Sequence, residues 1–302
     1  MKICLAFRQD RRSNGPVECY ARSVLYALEK KHDVICVGEG HDIELLEEVN
    51  QGDFDMLLEI ENGRNSKGKL FFQQGRYHWT IPSAVWLIDS HGQPDLHKAI
   101  ARDYNHIFFA VWSKRDIFKD HKQAHWCPCA TDLRWFDYKN FEDIQVYFDF
   151  GFFGSLTGIP RAYPLKEICQ RRGWTFDVRQ ISKPRKHKWP YCGQAMAACK
   201  NLFNHGQKHD GPNQRVLESM AMRRPLLTDC SDTLDGMGKL FEHGVHYIGY
   251  QSYSYSDLEE RCEWVIENPE KAEVIADAGY REVAAKHTID NRVDFMLEVM
   301  EG

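Results

Sequence analysis

A membrane-spanning run, a disulfide framework and an excess of positive charge are all missing from this 302-residue chain, and each absence removes a class of function. No apolar run is long enough to cross a bilayer. The opening MKICLAFRQDRR holds an apolar stretch too short for a signal-peptide core, so the expected location is cytoplasmic. The ten cysteines are scattered, and Cys4, Cys36 and Cys169 fall inside apolar runs, the usage of reduced, buried thiols. Positive charge is not in surplus: 39 Lys and Arg against 44 Asp and Glu leave a net charge of -5, with no global pull toward nucleic acid or an anionic membrane. That balance leaves local basic patches open. A zinc signature is also lacking. The densest set of ligand types is His121, His125, Cys127 and Cys129 in HKQAHWCPC, but Cys-Pro-Cys lacks the usual two-residue separation, and the segment reads as a strand entering a turn.

What is present is an ordinary globular composition, 43% apolar and 27% charged, with enough chain for two cores. Short apolar runs at Lys2 to Phe7, Val34 to Val37, Phe54 to Ile60, Ala84 to Ile88 and His106 to Val111 read as buried strands. Helical spacing over Val17 to Lys31 and a short helix over Asp42 to Val49 fall between them. This alternation predicts an α/β domain with a parallel sheet, whose ligands bind at the carboxyl ends of the strands. Residues Trp126 to Asp137 read as the exit from that domain. The pattern restarts near Tyr147, with a strand over Gln145 to Phe153, a helix over Arg161 to Arg172 and a strand over Thr175 to Arg179. The expected domains are therefore 1-143 and 144-302.

Several polar groups fall on the expected ligand edges. Arg8, Arg11 and Arg12 follow the first strand, and Arg64, Lys67 and Lys69 follow the third; they suit an anionic acceptor or stand as solvated loop charges. Asp89-Ser90-His91-Gly92 follows the fourth strand. Asp89 or His91 there could take a proton as general base, while Asp-Ser before Gly is also ordinary turn composition. In the second half, Gly154 and Ser155, followed by Arg161, form a turn that a phosphate could approach. SKPRKHKWP, from Ser182 to Pro190, is the one dense basic run, a surface loop or a phosphate contact with Trp189 available for stacking.

The most informative stretch is GPNQRVLESMAMRRPLLTD, from Gly211 to Asp229. Asn213 is an N-cap, Val216, Leu217, Met220 and Ala221 form a core-facing stripe, and Pro225 stops the helix before an apolar strand. Asn213, Gln214 and Arg215 then sit at a helix N-terminus that favours phosphate. Glu218, one turn on, could accept from two vicinal hydroxyls, as on a ribose; taken alone it also reads as a solvated charge. Beyond it come a turn and short strand over Leu240 to Tyr247 and three helices, Asp257 to Glu267, Pro269 to Lys286 and Ile289 to Met300.

The run from FFGSLTGIPR through this stretch to SDLEERCEWVIENPEKAEVIADAGYREVAAKHTIDNRVDFML resembles the carboxyl half of B-type glycosyltransferases, in the branch that includes spore-maturation-type enzymes. The amino half is similar in layout and in WLIDSH. The resemblance implies two Rossmann-like domains facing a central cleft, acceptor on the first and nucleotide-sugar donor on the second, with the C-terminal helix packing back toward the first. It also implies that Glu218 holds the ribose and that Gly154, Ser155, Arg161 and Arg215 lie at the diphosphate. Two positions depart from the family pattern: Gly211 stands where many members have a sugar-contacting Glu, and Arg223-Arg224 replace the usual Gly before the helix-ending Pro. No cofactor or metal is expected, since helix N–H groups and Arg or Lys meet the leaving charge. Asp53-Phe54-Asp55 has the form of a metal motif but precedes its strand instead of ending one. The expected activity is sugar transfer from a nucleotide-diphosphate sugar to a hydroxyl on a surface glycan, a protein or a polyanion such as DNA with hydroxylated bases. A nucleotide-sugar epimerase or a noncatalytic nucleotide-sugar-binding module would use the same fold.

Overall fold

The computed structural model describes residues 1–7, 11–12, 15–16, 20–38, 41, 53–61, 79–90, 92–154, 162–180, 188–206, 212–230 and 236–302. They form two compact units, Met1–Pro128 with Ile289–Gly302, and Cys129–Thr288.

In the first unit, β1 (Lys2–Ala6) is followed by the two-residue strands β2 (Arg11–Arg12) and β3 (Gly15–Pro16), which pair with each other antiparallel. Then come α1 (Tyr20–Glu29), β4 (Asp33–Val37), β5 (Met56–Ile60), β6 (Ser83–Leu87), α2 (Pro94–Ile100), β7 (His106–Phe109) and β8 (Ala124–Trp126). The sheet order is β4-β1-β5-β6-β7-β8, and every pairing is parallel. All five residues of β5 and of β6 are buried, as a parallel sheet covered on both faces requires, which is why MLLEI and SAVWL are almost unbroken apolar runs. Trp86 is fully buried and satisfies its indole N–H on the Cys127 carbonyl at 2.9 Å. Cys4 is a buried free thiol that burial pushes up to about 12, the setting of an inert structural cysteine.

The second unit runs through α3 (Leu133–Phe136), β9 (Phe148–Gly154), α4 (Tyr163–Arg172), β10 (Phe176–Gln180), α5 (Lys188–Ala197), β11 (Cys199–Asn204), α6 (Gln214–Ala221), β12 (Leu226–Cys230), α7 (Met237–Leu240), β13 (Ile248–Gln251), α8 (Tyr255–Glu267) and α9 (Pro269–Lys286). Its five-stranded sheet, β10-β9-β11-β12-β13, is also wholly parallel. Phe150, Phe152, Phe203, Leu227 and Ile248 form its core with Leu165 and Ile168 of α4 and Leu258 and Cys262 of α8.

The last helix, α10 (Ile289–Glu301), belongs to the first unit, as the resemblance implied. Its Phe295 ring meets Phe108 edge-on at 5.9 Å, Val293, Met296 and Leu297 are buried, and Arg292 Nε donates to the Pro128 carbonyl at 2.7 Å. Lys30 and Lys31 pair with Asp290 and Asp294, but those pairs are exposed and add little beside the apolar contact.

Sequence reading and structure differ in places. The compact units divide at 128/129 and not at 143/144, because α3 and the turn at Tyr138–Phe141 pack on α5, where the bare Cα of Gly193 admits the Trp135 carbonyl. The strand expected before Tyr247 is β13, which starts at Ile248; Met237–Leu240 is helical. Helix α5 and strand β11 were not anticipated, and Lys188–Pro190, the end of the basic run, is the first turn of α5. The helix expected over Asp42 to Val49 lies outside the described residues. Among the described residues no helix is long and apolar enough to cross a membrane.

Candidate functional site

In the second sheet the strand order reverses at β9, with β10 on one side and β11 on the other. The carboxyl ends of β9 and β11 therefore border a topological switch point, where open α/β sheets bind their ligands. Helix α6 is the next helix after β11, and Asn213 caps it: its side-chain oxygen accepts the Val216 N–H at 3.3 Å while its backbone stays extended. Asn213, Gln214 and Arg215 are half-buried there.

The Arg215 guanidinium is anchored across the switch point. Nε donates to the Phe153 carbonyl at 2.7 Å, Nη1 donates to Asn204 Oδ1 at 2.7 Å, and the group lies over the Phe152 ring with Cζ 5.0 Å from its centroid. A Cβ on Gly154 would stand 2.6 Å from that guanidinium, so the glycine is what permits the approach. Asn204 completes the junction by donating from Nδ2 to Thr228 Oγ1 at 2.9 Å. Two strand ends, the N-terminus of α6 and β12 are thus tied through one amide.

Glu218 is 9% exposed, and Val216, Leu217, Ser219, Met220 and Ala221 around it are buried as well. A solvated surface charge does not fit that burial, because a carboxylate withdrawn from water needs compensating donors. Arg223 explains the missing glycine after α6: it adopts the left-handed backbone itself (φ 52°), with Nε on Asp277 Oδ1 at 2.9 Å and its guanidinium over the Tyr138 ring.

Beside the junction stands a second polar group that sequence reasoning missed. Asp229 accepts the Gly206 N–H at 2.8 Å and the Ser252 hydroxyl at 3.2 Å, with His205 Nδ1 at 3.7 Å. Tyr250 places its single hydroxyl proton on the Asn204 carbonyl at 3.2 Å, so at 2.7 Å His205 Nδ1 is the donor to the tyrosine oxygen. The available signal was positional and partial: Asp229 and Ser252 end or follow the apolar runs of β12 and β13, whereas His205-Gly206 follow β11, whose polar residues conceal it. A cavity of about 540 Å³, lined by Trp174, Lys200, Arg224 and Pro225 among others, opens instead at the amino ends of these strands. It therefore lies at the other edge of the sheet from the switch point.

In the first unit the strand order reverses at β1, between β4 and β5. Arg11 and Arg12 form β2, in the small hairpin that follows the carboxyl end of β1. Asp89 is exposed in the loop after β6, and its backbone N–H donates to Glu61 Oε2 at 2.7 Å. Ser155 and Arg161, His91, and Arg8, Arg64 and Lys67 lie outside the described residues. The four zinc-type ligands are not assembled: His121 Nε2 bonds the Tyr104 carbonyl at 3.0 Å, His125 stacks on His106, and among the described residues no group of three or more His, Cys, Asp or Glu could hold a metal ion. Asp55 accepts the Lys2 N–H at 2.7 Å ahead of β5, at the amino edge of its sheet.

Two parallel, doubly wound sheets with these switch points are the architecture of B-type glycosyltransferases. Residues 142–298 match the family described as Glycosyl transferase-like. That is more than half of the chain, and the protein belongs to this family. Solved structures agree on the fold. HepE (Alr3699) from Anabaena, in complex with UDP, superposes with a TM-score of 0.69 at 14% identity, over 100% of both chains. Sucrose-phosphate synthase from Thermosynechococcus elongatus gives 0.64 at 11% identity, over 99% of this chain and 97% of that one. The DNA modifying enzyme beta-glucosyltransferase gives 0.61 at 13% identity, over 100% of both. No curated protein matches the sequence.

Proposed function

We propose that this glycosyltransferase takes its sugar from a uridine-diphosphate sugar and passes it to a hydroxyl carried on a polyanion. The observation that carries the donor half is Glu218, 9% exposed on a capped helix that follows a strand end bordering the switch point. In this reading Glu218 accepts from the ribose hydroxyls. The diphosphate lies at the N-terminus of α6, near Gly154 and Ser155, and Arg161 adds charge. Arg215, fixed by Phe153 and Asn204, supplies a positive centre that does not have to reorganise as the leaving group forms. No metal ion takes part in this reading, since those donors meet the developing charge. Uridine is favoured because HepE, of the same fold, was solved with UDP, with UDP and glucose, and with UDP-glucose.

A thermal-shift panel of nucleoside diphosphates and their sugars tests the donor. UDP at about a hundred times its dissociation constant should stabilise the protein by about 2.7 kcal/mol through mass action. A panel in which no nucleoside diphosphate moves the melting temperature sinks the donor reading.

Asp89, in the loop after β6, is the base in this reading, with His91 as its alternate. Support for a polyanionic acceptor is the sequence Arg8, Arg11 and Arg12 after β1, joined by Arg64 and Lys67 after β5. Retention of duplex DNA should then fall with salt, log K against log [salt] having a slope of about -3 if three or four phosphates are contacted. A flat response removes the polyanion and leaves a neutral glycan or protein hydroxyl as acceptor.

A further inference from the structure

The loop that carries Asp89 begins where β6 ends, and there two backbone N–H groups have left the strand ladder. An amide that leaves a strand ladder needs another acceptor, from the protein or from water. Here one carboxylate oxygen serves both: Glu61 Oε2 accepts from the Ile88 N–H and, at 2.7 Å, from the Asp89 N–H. Glu61 follows β5 directly, so the clamp is built on the neighbouring strand. Its other oxygen, Oε1, lies 3.1 Å from His97 Nε2, a close polar contact short of full hydrogen-bond alignment. His97 Nδ1 lies 3.0 Å from Ser90 Oγ. His97 sits in α2, and its own N–H bonds the Gln93 carbonyl at 3.0 Å. The Gly92 N–H closes the turn on the Asp89 carbonyl at 2.9 Å.

Ser90 and His97 are completely buried, and the Glu61 side chain is 9% exposed. Ser90 and His97 have no surface to offer a substrate, and both carboxylate oxygens of Glu61 face protein groups. Asp89, held between them in sequence, is exposed.

We propose that Glu61 and His97 are positioning residues that lock the backbone from Ile88 to Ser90 to β5 and α2 and thereby fix the direction of Asp89. The inference rests on Asp89 acting as the base. Its physical content is preorganisation. A charge-assisted pair of amide bonds and a histidine–serine link hold a loop whose displacement by about 1 Å would cost on the order of a hundredfold in rate. Serine suits position 90 because a hydroxyl both donates and accepts, so either imidazole tautomer keeps the link.

Three variants of the full chain test this, using UDP release from UDP-glucose and amide hydrogen exchange. Asp89→Asn should lower kcat about a hundredfold, the scale of a lost general base. Glu61→Ala should lower kcat by about ten- to a hundredfold while KM for UDP-glucose stays within about twofold. It should also speed exchange at the Ile88 and Asp89 amides and not at Leu87. Glu61→Gln keeps an oxygen for the two amides and turns an NH2 toward His97, so it should recover most of both losses. The His97 ring nitrogens, read by their 15N shifts, should then exchange donor and acceptor roles.

Unchanged exchange at Ile88 and Asp89 in Glu61→Ala overturns the clamp whether or not UDP-glucose is the donor. A crippled Asp89→Asn beside an unimpaired Glu61→Ala overturns the clamp and leaves the base in place. An active Asp89→Asn removes the base, and its positioning with it, while leaving the donor reading to the thermal-shift panel.

Discussion

At pH 8.5 the Glu59→Gln protein should resist urea better than the wild type, and by pH 5 most of the advantage should be gone. Glu59 lies in the middle of a buried strand, 3% exposed, and accepts a hydrogen bond from the Tyr104 hydroxyl. Burial pushes its carboxyl up to about 8, with Glu61 and Asp103 adding repulsion and the tyrosine bond opposing them. The same burial raises the Tyr104 hydroxyl well above its usual range, so the tyrosine remains a donor. A carboxyl whose folded pKa lies above its unfolded value binds its proton more tightly in the native state. Its contribution is therefore fully present below the unfolded pKa near 4.5 and is lost as pH rises through about 8. Over that window the wild type should lose about 1.4 kcal/mol per pH unit relative to the variant, in total on the order of 5 kcal/mol. Glutamine keeps the shape and the acceptor oxygen for Tyr104 and carries no charge to bury. Urea midpoints of both proteins at pH 5, 7 and 8.5, read by tryptophan fluorescence, check this. Parallel pH profiles would mean that Glu59 is not held protonated.

The sequence made the sheets legible because parallel strands covered on both faces must be almost wholly apolar, and MLLEI, SAVWL and FDFGFF stand out for that reason. It hid β11 because CKNLFN carries Lys200, Asn201 and Asn204. In the fold Lys200 pairs with Asp149, Asn201 Nδ2 donates to the Asp149 carbonyl, and Asn204 ties the switch point, so each polar residue meets a partner distant in sequence that periodicity cannot show. The domain boundary was obscured for a similar reason. Trp126 to Asp137 has the composition of a connector, yet its second half packs onto α5, a long-range contact that composition does not record.

The candidate site divided along the same line. Asn213 was visible as a cap because N-capping is a local rule, and the structure has its side chain on the Val216 N–H. Arg215 was visible as a cation near a helix end, but not its bonds to Phe153 and Asn204, which join residues distant in sequence. The Glu61–His97–Ser90 contact was illegible: a glutamate after one strand and a histidine in a helix meet only because β5 and β6 are neighbours in the sheet.

Replacing Glu218 by alanine should weaken UDP binding by roughly 1.5 to 3 kcal/mol, the scale of a charged hydrogen-bond partner, or about ten- to a hundredfold in dissociation constant. Helix α6 should survive the change, since alanine is the best helix former and the Asn213 cap is untouched. The loss is specific only if it depends on the ribose. Wild-type protein should therefore bind UDP more tightly than 2'-deoxy-UDP, and that preference should shrink toward unity in Glu218→Ala, as a double-mutant cycle between residue and hydroxyl requires. Calorimetry of the four combinations decides it. Equal losses for both ligands would mean that Glu218 shapes the site through its burial and does not grip the sugar. Unchanged UDP affinity would remove it from the donor site altogether, leaving the capped N-terminus of α6 and the fixed guanidinium of Arg215 to hold the diphosphate without it.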